Sequence, residues 1–165
     1  MKQNKKIKQT IYIILILTWM ITVFRFSSEN GQESGGTSKK VSTEIVKIVT
    51  INQEITEQEK NDIVDKIDPI IRKLAHYTLY TIGGFLIINY IDELNSEKRK
   101  KIIYSIIIGA LYAISDEIHQ YFVPSRAAQI RDVCIDSLGI MTGTIMYMIS
   151  KDILNKIINV IKKTN

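Results

Sequence analysis

The sequence predicts an all-α integral membrane bundle of four transmembrane helices, with a partly helical extracytoplasmic segment between the first and second spans. Three observations predict it. Hydrophobic residues make up 45% of the 165-residue chain beside 24% charged residues, and the two kinds are segregated, long apolar stretches alternating with short basic clusters. The apolar stretches are rich in Ile, which favours strands, yet they are too long for buried strands and close to the roughly 20 residues a bilayer-crossing helix needs. The basic residues flank those stretches, so a formal charge of +5 points to anionic lipid headgroups as partner rather than to nucleic acid.

The first span covers about residues 7–26. Lys2, Lys5, Lys6 and Lys8 precede an apolar centre from Ile11 to Phe24, interrupted by Thr18 and Thr22, whose hydroxyls a helix tolerates. The run outlasts the apolar core of a signal peptide, and Phe24-Arg25-Phe26 is no small-residue cleavage site, so the segment reads as an uncleaved anchor. Ser27 to Lys40, rich in Ser, Gly and charge, reads as a flexible exit loop. Val41, Ile45, Ile48 and Val49 fall at helical spacing and predict a short amphipathic helix on the membrane surface or on the bundle. Thr56 and Glu59 have the spacing of a capping box and open a further short helix to about Lys66.

These pieces fill an outer segment, residues 27–68. Asp68-Pro69 predicts the start of the second span, because Asp can accept from the free amides of a first turn and Pro has no N–H to lose there. That span runs over about 69–91, the third over about 102–122 and the fourth over about 130–149. Residues 7–150 form one membrane domain, and 151–165 form an amphipathic, basic cytoplasmic tail.

Orientation follows from Lys and Arg. The N-terminal lysines, the Lys98-Arg99-Lys100-Lys101 cluster and Lys151, Lys156, Lys162 and Lys163 share one side of a four-span chain, which places that side and both termini in the cytoplasm. Lys39, Lys40, Lys47, Lys60 and Lys66 of the outer segment are diluted by interleaved Glu and Asp. A single cysteine, Cys134, excludes an internal disulfide.

Polar groups recur at the outer end of three spans. Arg72, His76, Tyr80 and Gly83 lie on one face of the second span, and Gly109, Tyr112, Asp116 and His119 on one stripe of the third, flanked by Glu117 and Gln120. Asp132, Asp136, Gly139 and Gly143 do the same in the fourth. Ionisable groups at membrane depth are costly unless they face a partner or a water-filled cavity. The expected product is a polar cup opening outward, with Arg72, Arg126 and Arg131 pairing with Asp116, Glu117, Asp132 and Asp136. The plainer alternative is an ion-pair network that only locks the bundle. Gly139 and Gly143 read as packing within the bundle, and Trp19, Tyr77, Tyr80 and Tyr121 as interfacial or packing aromatics.

The segment Ile71-Arg72-Lys73-Leu74-Ala75-His76-Tyr77, with Tyr80 after it, resembles the Arg-Lys-x-x-His-aromatic-x-x-Tyr signature of VanZ-like proteins. Ser115 to Gly143 resembles the second block of that family, and Phe26-Ser27-Ser28 its short Phe-Ser-Ser element. Ser125-Arg126 departs from an expected Gly-Arg. The resemblance implies a multi-pass protein of the bacterial cell envelope, in a family named for a protein associated with resistance to the glycopeptide teicoplanin; it implies no known reaction. Its motif residues here are Arg72, Lys73, His76, Tyr80, Asp116, Glu117, Gln120, Pro124, Arg126, Asp132 and Gly139.

Three functions fit these residues. The first is a non-enzymatic factor whose cup binds an anionic envelope lipid or polymer, or the drug itself, through arginines that grip oxyanions bidentately. The second is a membrane-embedded hydrolase or transferase acting on a lipid-linked or cell-wall substrate. There His76 or His119 would be general base, Asp116 or Glu117 its partner, and Arg126 the stabiliser of an anionic transition state. The third, a transporter or proton-coupled channel using the buried carboxylates, ranks last because four spans could form a pathway only in an oligomer and no inverted repeat is evident. No His-Glu-x-x-His zinc signature is present, so no cofactor is expected; a metal at His76, Asp116, Glu117 and His119 is the less favoured arrangement.

Overall fold

The computed structural model describes residues 2–28, 31–94, 97–124, 126 and 128–164. Among the described residues the chain is all-helical: α1 (Lys2–Ser28), α2 (Gly31–Val49), α3 (Glu57–Glu93), α4 (Lys98–Tyr121) and α5 (Ile130–Thr164). Three stretches, Gln3–Ser28, Lys98–Tyr121 and Ile130–Lys163, are long and apolar enough to cross a membrane. Their most apolar windows are only 17%, 28% and 28% buried within the protein, so side chains such as Ile14, Ile21, Leu111 and Ile145 face outward. An apolar exterior of this extent is stable in lipid and a liability in water.

Helix α3 is built differently, and it is not among the three. It packs against each of the other four helices, which buries one side of it, while Ile70, Leu74, Ile82 and Phe85 stay exposed. Val64, Asp68, Tyr80, Gly83, Ile87 and Ile91 are buried along it. Its charged Asp68, Arg72 and Lys73 are ion-paired, Asp68 buried and the two cations half-buried, and pairing lowers the cost of holding charge near hydrocarbon.

Several expected boundaries move. The capping box at Thr56 and Glu59 is present: the Glu59 amide donates to Thr56 Oγ1 at 3.2 Å, and the Thr56 amide donates to Glu59 Oε2 at 2.8 Å. The Thr56 amide and the Thr56 hydroxyl, both donating to Glu59 Oε2, hold that carboxyl below its ordinary value. The helix it opens does not stop near Lys66, however, and Asp68-Pro69 does not start a new one; α3 runs unbroken to Glu93 with Pro69 inside it. Proline there removes one helical hydrogen bond, a loss of about 3 kcal/mol. Local anchoring offsets it. Asp68 caps no amide; its carboxylate accepts from Ser42 Oγ at 3.1 Å and from Arg72 Nη2 at 3.1 Å, which pins both sides of the proline to α2 and to the next turn.

The expected exit loop is also largely helical, since α1 extends to Ser28 and α2 begins at Gly31. On α2 the buried side is Ser42 and Val46, continued by Thr50 just past its end, while Val41, Ile45, Ile48 and Val49 stay exposed. The helix thus uses a small, polar-edged side to reach the bundle and leaves its apolar stripe exposed. At the far end α5 continues through Ser150 to Thr164, so the expected tail is helical and unseparated from the span before it.

The core comprises Trp19, Val23, Tyr80, Ile87, Ile91, Ala113 and Ile140. Trp19 is therefore a packing residue, and its indole N–H donates to the Leu79 carbonyl at 2.8 Å. Helices α3 and α5 approach at backbone distance: a Cβ on Gly143 would stand 1.9 Å from the Thr81 carbonyl oxygen, and one on Gly84 2.2 Å from that of Ile140. Small-residue spacing here closes a contact within the chain.

Candidate functional site

At the end of the bundle where α4 meets α5, the polar stripes of α3, α4 and α5 converge on a cavity of about 340 Å³. Arg72, Lys73, His76, Gln120, Arg126, Asp132 and Asp136 line it, with Pro69, Gln129 and Ile135. The unbroken α3 explains the placement of the first three. Successive turns beyond Pro69 aim Arg72, Lys73 and His76 toward α5, and the close α3–α5 approach brings Asp132 and Asp136 to meet them.

The rim carries cations. Lys73 Nζ donates to Asp132 Oδ1 at 2.8 Å. Arg72 Nη2 binds Asp68, but its Nε is buried without a hydrogen-bond partner. Arg126 Nη1 donates to Gln120 Oε1 at 3.1 Å, and its Nη2 to the Phe26 carbonyl at 2.9 Å. The expected pairings thus change. Arg72 finds its acid one turn back on its own helix, Asp132 finds a lysine rather than an arginine, and Arg126 lends two donors to protein acceptors. Arg131 is exposed and stands outside the cavity lining.

The floor carries carboxylates. Asp116 and Asp136 are 4% and 2% exposed, and one oxygen of each, Oδ1, has no hydrogen-bond partner. The other oxygen of Asp116 accepts from Ser27 Oγ at 2.8 Å and from Gln120 Nε2 at 3.1 Å. His76 Nδ1 lies 3.9 Å from Asp136 Oδ2. Glu117 is buried but turned aside, its Oε1 accepting from the Gln129 amide at 2.5 Å, where it fixes the entry to α5. Tyr80 is fully buried with its hydroxyl beside the Asp116 carboxylate, though outside strict hydrogen-bond geometry.

Of the expected site residues, the structure gathers Arg72, Lys73, His76, Tyr80, Asp116, Gln120, Arg126, Asp132 and Asp136 around this space. It separates Glu117, Arg131 and His119. His119 sits on the edge of α4, stacked on Phe24 with ring centroids 4.3 Å apart, and its Nε2 is 3.0 Å from Ser28 Oγ. The expected α4 stripe is rotated slightly, so that Asp116, Glu117 and Gln120 face inward and His119 does not. Pro124 is exposed in the turn, and Ser125 beside it lies outside the described residues. Sequence reasoning missed Ser27 as a site residue. Its only signal was the Phe26-Ser27-Ser28 element, and α1 delivers that serine, fully buried, to Asp116.

Helices of membrane-crossing length and apolarity, wrapped around a polar cavity that opens at one end, define a helical protein of membrane character. The chain belongs to the VanZ/LLP1 family, whose profile matches residues 12–151 and so includes every residue of the cavity and its floor. No curated protein and no solved structure matches the chain.

Proposed function

We infer that this chain is a four-span protein of the cell membrane that binds an anionic envelope component, a phosphate-bearing lipid or polymer, in an outward-facing polar cup. In this reading residues 69–91 of α3 form the fourth span, at the bundle centre, and residues 27–68 and both termini lie on opposite sides of the membrane. The basic clusters at one end of the bundle support that orientation. The observation that carries the reading is the cavity rim: Arg72, Lys73 and Arg126 converge on one space, and the Arg72 Nε–H is buried with nothing to bond. An unmet buried donor is destabilising by about 1–3 kcal/mol, and an oxyanion in the cup would satisfy it. The family is named for a protein associated with resistance to the glycopeptide teicoplanin, which agrees with a role at envelope lipids or polymers, and the drug itself is a second candidate ligand.

The test is titration of the purified full chain in nanodiscs with a polyprenyl phosphate, the matching polyprenol and inorganic phosphate. Saturable binding of the phosphate lipid alone or of both phosphates supports the cup, and the two outcomes separate lipid recognition from headgroup recognition. Equal binding of polyprenol and its phosphate would remove the anion from the argument. Conversion of a bound lipid-linked substrate would instead favour the hydrolase or transferase reading.

A further inference from the structure

The floor of the cup holds something the rim does not account for. Two buried carboxylates, Asp116 and Asp136, face the same space from α4 and α5, and α3 presents His76 to them. One potential ligand atom from each of the three lies within 4.8 Å of the others. The His76 to Asp136 separation of 3.9 Å is too long for a hydrogen bond, so these groups are adjacent without satisfying one another. Asp136 is 2% exposed and Asp116 4%, and Oδ1 of each is unbonded. Basic side chains do not answer them: Arg72 is on Asp68, Lys73 on Asp132, and Arg126 reaches Gln120 and Phe26. Two buried negative charges this close need a countercharge or a shared proton.

We propose that His76, Asp116 and Asp136 form a divalent-cation site at the floor of the cup. A dication balances two carboxylates, and an imidazole with two carboxylates is a donor set for Zn²⁺ or Mn²⁺, the harder oxygens and the nitrogen together disfavouring Ca²⁺ and Cu⁺. Three protein ligands leave a coordination position open, as in metal sites that act on a substrate rather than only staple a fold. His76 and Asp136 both line the cavity, which gives the ion its route in and aims that open position at the cup. A tetrahedral ion wants ligand atoms about 3.3 Å apart, so the three side chains draw together by about 1 Å on loading, a rotation their χ angles allow. Ser27 and Gln120 already hold the far oxygen of Asp116 and leave Oδ1 to the ion, the outer-shell arrangement that orients a ligand. This site goes beyond the anion-binding reading and does not require it, because the ion binds the chain alone.

The experiment uses the full chain in nanodiscs, stripped with EDTA and titrated with Zn²⁺ by calorimetry and with Mn²⁺ by electron paramagnetic resonance, with no lipid phosphate present. The expected result is one ion per chain, a nitrogen hyperfine signature that His76→Gln abolishes, and a rise in unfolding temperature that EDTA reverses. Asp136→Asn should lose binding, Ser27→Ala should weaken it by about tenfold, and Asp152→Asn, at the other end of the bundle, should not change it. Ser27→Ala and the hyperfine signature decide the matter if Asp136→Asn does not fold. Absence of stoichiometric binding by the unaltered chain, or full binding after His76→Gln, would overturn the site. If the unaltered chain ignores EDTA and Asp136→Asn raises its stability, the carboxylates share a proton and the proposal is wrong.

Discussion

Replacing Asp92 by Asn tests how the closed end of the bundle is held. Asp92 lies one residue past the expected second span, its side chain 13% exposed. Its Oδ1 accepts from Lys101 Nζ at 2.5 Å, and its Oδ2 accepts from Tyr147 Oη at 2.8 Å and from Lys151 Nζ, so one carboxylate ties α3 to α4 and α5. Burial works against ionisation here, but the hydrogen bonds from Lys101, Lys151 and Tyr147 outweigh it and hold the carboxyl at about 2, below its ordinary 3.8. A displacement of nearly two pH units corresponds to at most about 2.5 kcal/mol, and partial exposure screens that to about 1–2 kcal/mol. The folded-state value is depressed, so this stabilisation is fully present above pH 3.8 and is lost as pH falls through about 2. Asp92→Asn keeps the side-chain shape but leaves two ammonium groups facing a neutral amide. Denaturant unfolding in detergent micelles should show a loss of about 1–2 kcal/mol that is constant at neutral pH and vanishes under strong acid. Equal stability at neutral pH, or a deficit that persists unchanged below pH 2, would refute the claim that ionised Asp92 clamps three helices.

Gly143→Ala should destabilise by about 3 kcal/mol or more, because the new Cβ would stand 1.9 Å from the Thr81 carbonyl oxygen; Gly36→Ala, inside α2 with open space around its Cβ, should instead stabilise by up to about 1 kcal/mol in the same melt. Arg126→Lys should leave membrane abundance unchanged and weaken phosphate-lipid binding by about tenfold, since an ammonium cannot hold Gln120 and the Phe26 carbonyl together while facing the cup. Full affinity in that variant would return Arg126 to ordinary interfacial charge. In a Cys134→Ser background, a cysteine at Lys40 should react with an impermeant thiol reagent in intact cells and one at Lys100 only after lysis; the reverse pattern would invert the proposed orientation.

Much of the architecture was legible because lipid imposes a simple requirement, a long apolar run, and three such runs met it. Helix α3 was harder to read. Its two helix-start signals, Thr56 with Glu59 and Asp68 with Pro69, are both real local patterns, but tertiary anchoring of Asp68 by Ser42 and Arg72 overrode the second. The same long-range contacts explain the site. Register alone put Arg72, His76, Asp116, Asp132 and Asp136 on inward faces. It could not tell that α1 would bring Ser27 to Asp116, because that contact joins residues 89 positions apart. Nor did register single out Asp92, whose partners Lys101 and Lys151 come from α4 and α5.

The two ends of the bundle treat buried charge in opposite ways. At the closed end Asp92 has three donors, while Lys8 with Glu93 and Lys98 with Asp152 add exposed pairs around it. There the buried carboxylate is met by charge. At the cup end the chain keeps Arg72 Nε, Tyr80 Oη and one oxygen each of Asp116 and Asp136 buried and unbonded. Four such atoms lower stability, and each could be removed by an apolar substitution of similar size. Stability alone therefore gives no reason to hold a cation-lined rim above a carboxylate floor. A ligand that supplies oxyanions to the rim and positive charge to the floor gives one, and a bound divalent ion beneath an anionic headgroup is the simplest arrangement that satisfies both layers at once.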